Sequence, residues 1–317
     1  MTAVDGSAVS VEHGEDHASA AEVEAAPPPT RIRRMSWPRL NRNQSIVLGV
    51  AIMVFLLAVW SILYLTTLSA AVANHLQSGL YASFRLQVAS ETAPLGGVIP
   101  PGSPVALLSF PAAGVHNKVV VEGTTSRNLM SGPGHRRDTV LPGQVGDSVI
   151  YGRSVAFGGV FARIANVPLG SRMTVTTGQG VFTFRVLDVR SVGSPLPAPL
   201  ATGAGRLTLV TASGGGALAG WTPRSEVYVD ATLVGKALPS AAVLGAVPRA
   251  EQALQPDPSA LPVAILWMQL LILAVVAGVW AWFRWGRPQA WLIAGPVALA
   301  ALWGLSGAAA QFLPNLL

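Results

Sequence analysis

Gly178-Gln179-Gly180-Val181-Phe182-Thr183-Phe184-Arg185-Val186-Leu187 reads as a tight turn that feeds a β-strand. Phe182, Phe184 and Val186 alternate with Thr183 and Arg185, the two-residue period of a strand with one buried face. The short Gly-Gln-Gly connection returns the chain from a preceding strand, Arg172–Thr177, into Val181–Val189 and makes a hairpin of the two. Val227-Tyr228-Val229-Asp230-Ala231-Thr232-Leu233 alternates in the same way.

Working outward, further strands are expected at Val105–Phe110, Lys118–Glu122, Ser148–Tyr151, Arg206–Thr211 and Glu226–Val234, each bounded by Gly or Pro. Short strands at this spacing argue for one small barrel or sandwich. Phe161-Ala162-Arg163-Ile164 is expected to form a helical turn on its surface, and no internal repeat is present.

The flanks have another texture. The chain of 317 residues is 51% hydrophobic and 11% charged, too apolar for an ordinary soluble protein. The excess lies in residues 46–66, 261–283 and 290–313. Each is long enough to cross a ~30 Å hydrocarbon core, which takes ~20 apolar residues. The second and third are joined only by Arg284-Trp285-Gly286-Arg287-Pro288-Gln289, a hairpin turn. Arg31, Arg33, Arg34, Arg39 and Arg42 precede the first block, and Arg284 and Arg287 sit in the hairpin. By the excess of positive charge on the cytoplasmic side, both are expected inside and residues 68–260 outside. A cleaved signal peptide is the other reading of the first block, but the block is too long and its polar leader too extended.

Residues 1–30 are rich in Ala, Glu and Pro and are expected to be disordered. Leu68, Val72, Leu76, Leu80 and Phe84 recur every fourth residue and predict a helical stalk beyond the first span. Residues 238–260, rich in Ala, Pro and Leu, read as a linker back to the membrane. The net charge of +6 is accounted for by the topology-setting arginines, which also suit anionic lipid, so nucleic acid is not an expected partner. Histidines and carboxylates show no metal-ligand spacing, and no cofactor is implied. The chain has no cysteine, so an exported domain would be held by its core without disulfides.

Several motifs, in order, resemble the sortase family in its class E form. Val119-Val120-Val121-Glu122-Gly123-Thr124 is similar to the segment that opens the core of such domains. Gly132-Pro133-Gly134-His135, followed by Thr139 and Leu141-Pro142-Gly143, resembles their characteristic loop. Gly146-Asp147-Ser148-Val149-Ile150 leads to Gly152, with Phe157-Gly158 and Phe161 at family spacing. Arg206–Thr211 resembles the strand that ends at the family's cysteine, and Arg224 stands where its active-site arginine would. The resemblance covers about residues 92–236. It implies a mainly β fold, a closed eight-stranded sortase-type barrel, here with three transmembrane α-helices. It also implies cysteine transpeptidation on sorting-signal peptides, with a histidine moving protons and an arginine steadying the oxyanion.

The chain departs from that chemistry at two positions. Ala212 occupies the cysteine position, and a methyl group cannot form an acyl-enzyme. Arg153 occupies the histidine position, and a guanidinium is a poor general acid or base. Ser213 follows Ala212, but in a continuing strand it faces the other way. Gly214-Gly215-Gly216 would have to turn it inward. His135 is expected to fix its loop by hydrogen-bonding a backbone group, with ligand binding as the other reading. For Arg153 and Arg224, one reading has both facing a groove around an anion or carboxylate; the other has Arg153 swung into solvent. The degenerate site is thus Arg153, Ala212 and Arg224, and a possible ligand groove adds Ser213 and His135.

These readings assemble into one expected protein. Residues 1–45 form a cytoplasmic tail, 46–67 a membrane helix, 68–91 a stalk and 92–236 the barrel; 237–260 form a linker, 261–283 a membrane helix, 284–289 a cytoplasmic hairpin and 290–313 a last membrane helix. It is a multi-pass plasma-membrane protein with its barrel outside, expected to bind or scaffold in the cell envelope without catalysing. The alternative is a cysteine-independent transpeptidase or hydrolase acting on sorting-signal peptides. Expected partners are the membrane and, in addition, envelope proteins or such peptides.

Overall fold

The computed structural model describes residues 41–214 and 224–317. The Arg cluster at 31–39, the tail at 1–30 and the glycines at 215 and 216 lie outside them. The chain divides into Met1–Val50 and Ala51–Leu317. The first unit contributes only the start of the first helix; the barrel and the other helices belong to the second.

Helix α1 (Arg42–Leu63) passes through a π-helical turn, Tyr64–Leu68, into α2 (Ser69–Ala89). Strands β1 (Pro104–Phe110), β2 (Val115–Glu122), β3 (Gly134–His135) and β4 (Gly146–Tyr151) follow, with the short helix α3 (Ser126–Leu129) after β2. Then come β5 (Arg172–Thr177), β6 (Gly180–Ser191), β7 (Gly205–Ser213) and β8 (Ser225–Val234). Helices α4 (Leu261–Trp285) and α5 (Arg287–Ala309) follow as a hairpin.

The eight strands close into a barrel in the order β1-β2-β3-β4-β7-β8-β6-β5. β2–β3 and β4–β7 run parallel and the other neighbours antiparallel. The interior is filled by Leu108, Phe110, Ile150, Phe161, Phe184, Leu207 and Leu209, all fully buried. Phe184 and Val186, the alternating residues of β6, point into it as their period requires. Three helical stretches, Ala51–Ala89, Pro258–Trp285 and Pro288–Phe312, are long and apolar enough to cross a membrane.

Three features differ from the sequence reading. First, Gly134–His135 is a two-residue strand bridging β2 and β4, with Gly134 opposite Tyr151 and His135 opposite Ile150. It closes the barrel where a loop was expected.

Second, α2 buries Ser69, Ala73 and Gln77, one position past Leu68, Val72 and Leu76 of the expected stripe, and rejoins that stripe at Phe84; Leu76 is exposed. Gln77 sets this rotation. Its amide oxygen accepts from Val119 N at 2.8 Å, and its nitrogen donates to Val119 O at 3.0 Å and Ser131 O at 2.7 Å. A side-chain amide thus satisfies buried main-chain groups of β2 as a strand would. Gly132 is required beside it, since a Cβ there would stand 2.1 Å from the Gln77 nitrogen.

Third, residues 238–260 lie on the barrel. Leu238 bridges Gln144, Glu251 O accepts from Thr124 Oγ1 at 2.6 Å, and the buried Glu251 carboxylate pairs with Arg137 at 3.1 Å.

Candidate functional site

β7 has two buried faces. Leu207 and Leu209 face the barrel interior, while Thr208, Val210 and Ala212 alternate to the outside. That outer side is covered, as the faces of parallel pairs such as β4–β7 commonly are. Covering it are the arm around Ala253 and the turn containing Leu316. Ala212 is 6% exposed and shares a buried cluster with Leu129, Tyr151, Val210, Ala253 and Leu316. The cleft is therefore closed over Ala212.

Beside this closed end, a recess of about 380 Å³ opens among Asp147, Tyr151, Arg190, Thr208, Glu226 and Tyr228. Arg190 pairs with the fully buried Asp230 and lies over the Tyr228 ring, 4.3 Å from its centroid. Thr208 Oγ1 is 2.8 Å from Asp230 Oδ1 and 3.1 Å from Asp147 Oδ1. One hydroxyl proton cannot serve both carboxylates at once. Burial pushes the Asp147 carboxyl up, and the Asp230 charge adds to this, against Thr208 and Arg206. The Tyr228 phenol, which donates to Glu226, is also held high, first by burial.

Arg153 follows β4 and is 1% exposed, the largest fully buried side chain among the described residues. Its Nη2 donates to Ser126 Oγ at 2.6 Å and Ser126 O at 3.1 Å. The guanidinium lies 4.9 Å from the centroid of the Phe157 ring, a cation–π contact. Phe157 holds a left-handed backbone, φ 56°, rare for a bulky residue, with its N–H on Ser69 Oγ. Among the described residues, Nε and Nη1 of Arg153 have no hydrogen-bond partner. Burial lowers its pKa to about 9. The reading in which Arg153 turns to solvent is excluded by its burial.

Arg224 stands exposed just ahead of β8, its N–H on Ser213 O at 3.0 Å. With one arginine enclosed and the other in solvent, they do not present a matched pair to an open groove. Ser213 ends β7 opposite Ser225, and strand alternation sets it away from the Ala212 face. His135 is buried, with Nδ1 2.9 Å from Glu122 Oε2 and Nε2 2.9 Å from Val140 O. Both ring nitrogens are thus occupied, and the ring lines a different recess, with Gln144 and Leu141. No group of three or more His, Asp or Glu among the described residues is placed to hold a metal ion.

Sequence reasoning missed Ser126, Ala253 and Leu316 as parts of this site. No local signal marks them, because they reach Arg153 and Ala212 only through the fold.

Residues 108–216 match the family model of the sortase domain. No curated protein matches the chain. Among solved structures, a sortase D5 transpeptidase from Clostridium perfringens is 22% identical, covering 51% of this chain and 99% of its own, with TM-score 0.41. Sortase A from Corynebacterium diphtheriae is 18% identical over 50% of this chain and 84% of its own, TM-score 0.36. A variant of sortase E from Streptomyces avermitilis is 26% identical over 49% of this chain and 100% of its own, TM-score 0.36. The closed eight-stranded barrel is of the sortase type, and the stretch from β1 to just past β7 matches a sortase domain.

Proposed function

We propose that this chain is a membrane-anchored, class E-like sortase homologue without transpeptidase chemistry, which binds or scaffolds at the outer face of the cell envelope. One observation carries the reading. The β7 position at the expected nucleophile site is Ala212, which is buried in one cluster with Leu316 and Ala253, in a chain without cysteine. Acyl transfer needs a nucleophile with an adjacent base. Arg153 is locked on Ser126 and Phe157, and both His135 nitrogens are engaged. The Arg-rich leader and the Arg284–Arg287 turn support a cytoplasmic N-terminus and an outer barrel. Three apolar helices offer more intramembrane surface than one anchor needs; envelope proteins and sorting-signal peptides are the proposed partners.

The test is incubation of the full chain, in native membranes, with sorting-signal peptides, alongside affinity purification from those membranes. No cleavage, no covalent adduct and a stoichiometric envelope partner are expected. Peptide cleavage lost in Ser213→Ala would establish the cysteine-independent enzyme instead.

A further inference from the structure

After α5 the chain makes a 3₁₀ turn, Ala310–Phe312, and then a β-turn at Pro314-Asn315-Leu316-Leu317, closed by Leu317 N on Pro314 O at 3.0 Å. This turn is seated as a peptide ligand is seated. Ser154 N–H and Oγ donate to Leu316 O at 2.9 and 3.1 Å, and Ala156 N–H donates to Leu317 O at 3.0 Å. The Asn315 side-chain nitrogen donates to Ala250 O and Gln252 O, both at 2.7 Å, and its main-chain N–H donates to Gln255 O at 3.2 Å. Asn315 and Leu316 are fully buried, and Leu316 anchors in the cluster with Ala212. Main-chain pairing, one polar clamp and one apolar anchor are the elements of peptide recognition.

We propose that the cleft over Ala212 is a recognition site for a turn-forming Pro-Asn-apolar-apolar peptide, and that the chain's own Pro314–Leu317 is its resident ligand. The proposal rests on the reading of this cleft as a binding face without acyl chemistry. The ligand is tethered through α5 and α4 to the arm at 250–257 that clamps it, and Asp257 N–H on Gln311 O fastens the two ends together at 3.1 Å. Tethering sets a high effective concentration, so a free peptide meets a closed cleft while the turn is seated. Withdrawal of the turn uncovers Ser154 N–H, Ala156 N–H and the Ala212 pocket together.

The full chain in nanodiscs is compared with the same chain lacking Pro314–Leu317, using a fluorescent peptide of sequence Gln311–Leu317 as probe. The shortened chain is expected to bind the peptide saturably, and the intact chain at least about tenfold more weakly. Equal binding by both, or by neither, would overturn the proposal. A second measurement does not depend on deletion. Ala212→Cys supplies a unique thiol, expected to react slowly with maleimide in the otherwise intact chain. Adding Leu316→Ala should accelerate it at least about tenfold, and the free peptide should restore protection. Fast labelling without Leu316→Ala would refute the resident turn and leave the inactive-barrel reading standing; cleavage of the peptide by the unmodified chain would do the reverse.

Discussion

His135 and Arg153 are both buried basic side chains, each 1% exposed, flanking adjacent strands of one barrel. Their surroundings differ sharply. His135 meets a carboxylate on one nitrogen and a carbonyl on the other. Among the described residues, Arg153 meets a serine and an aromatic ring, with two nitrogens unanswered. The first is a completed polar network that closes the barrel at β3. The second is a cation enclosed without a counter-charge among the described residues, at the position where the family resemblance expects a proton-transfer group. Burial alone therefore says little about a polar residue's role; the partner set decides it.

Three substitutions break or sharpen this contrast. His135→Ala leaves the Glu122 carboxylate buried without its partner, and is expected to destabilise the barrel by about 3–5 kcal/mol. Denaturant unfolding of the solubilised chain measures this, and a loss below about 1 kcal/mol would mean the two sites are equivalent.

Arg153→Met should behave oppositely. It removes an uncompensated charge and retains an apolar stem over Phe157, and is expected to stabilise by on the order of 1 kcal/mol. The sign follows from proton linkage. The unfolded arginine titrates well above the folded one at about 9, so the unfolded chain holds the extra proton between those values. The penalty in the parent chain is fully present below pH 9 and fades as pH rises through that window. The advantage of Arg153→Met should shrink accordingly, and a pH-independent difference would remove this account of Arg153.

The smallest effect is expected from Asp147→Asn. Burial raises the Asp147 carboxyl, so its proton-linked stability is complete below its ordinary range near 3.8 and lost as pH rises through the raised value. Asn imitates the protonated form and relieves the competition for Thr208 Oγ1. A melting temperature higher by about one or two degrees at neutral pH is expected, converging with the parent chain in acid. A lower value at neutral pH would show that Asp147 is needed as an anion.

Much of the barrel is legible in the sequence because its strands carry their own period. Arg172–Thr177 is readable to the residue, and β6, β7 and β8 within two residues at each end. Gly134–His135 is not, since two residues show no alternation. Gln77 is hidden because a polar residue beside a leucine stripe reads as solvent-facing, and its three hydrogen-bonding partners lie more than forty positions away. Ala212 and the absence of cysteine are visible from the sequence. The burial of Arg153 and the covering turn at Leu316 are not, because the turn's leucines look like the end of an apolar span. Residues 238–260 have the composition of a linker, and only tertiary contact shows that they lie on the barrel.

Among the described residues, the barrel is held to its helices and their connections at several places: α2 through Ser69 on Phe157 and Gln77 on β2, the arm through Glu251 and Thr124, and the turn after α5 through Ser154 and Ala156. Separate supports resist rotation about any one of them, as the legs of a stand do. A tether of one helix leaves a domain free to swivel; a footing at several points restrains it. Where these helices cross a bilayer, the barrel's exposed side would keep one heading toward whatever stands above the membrane.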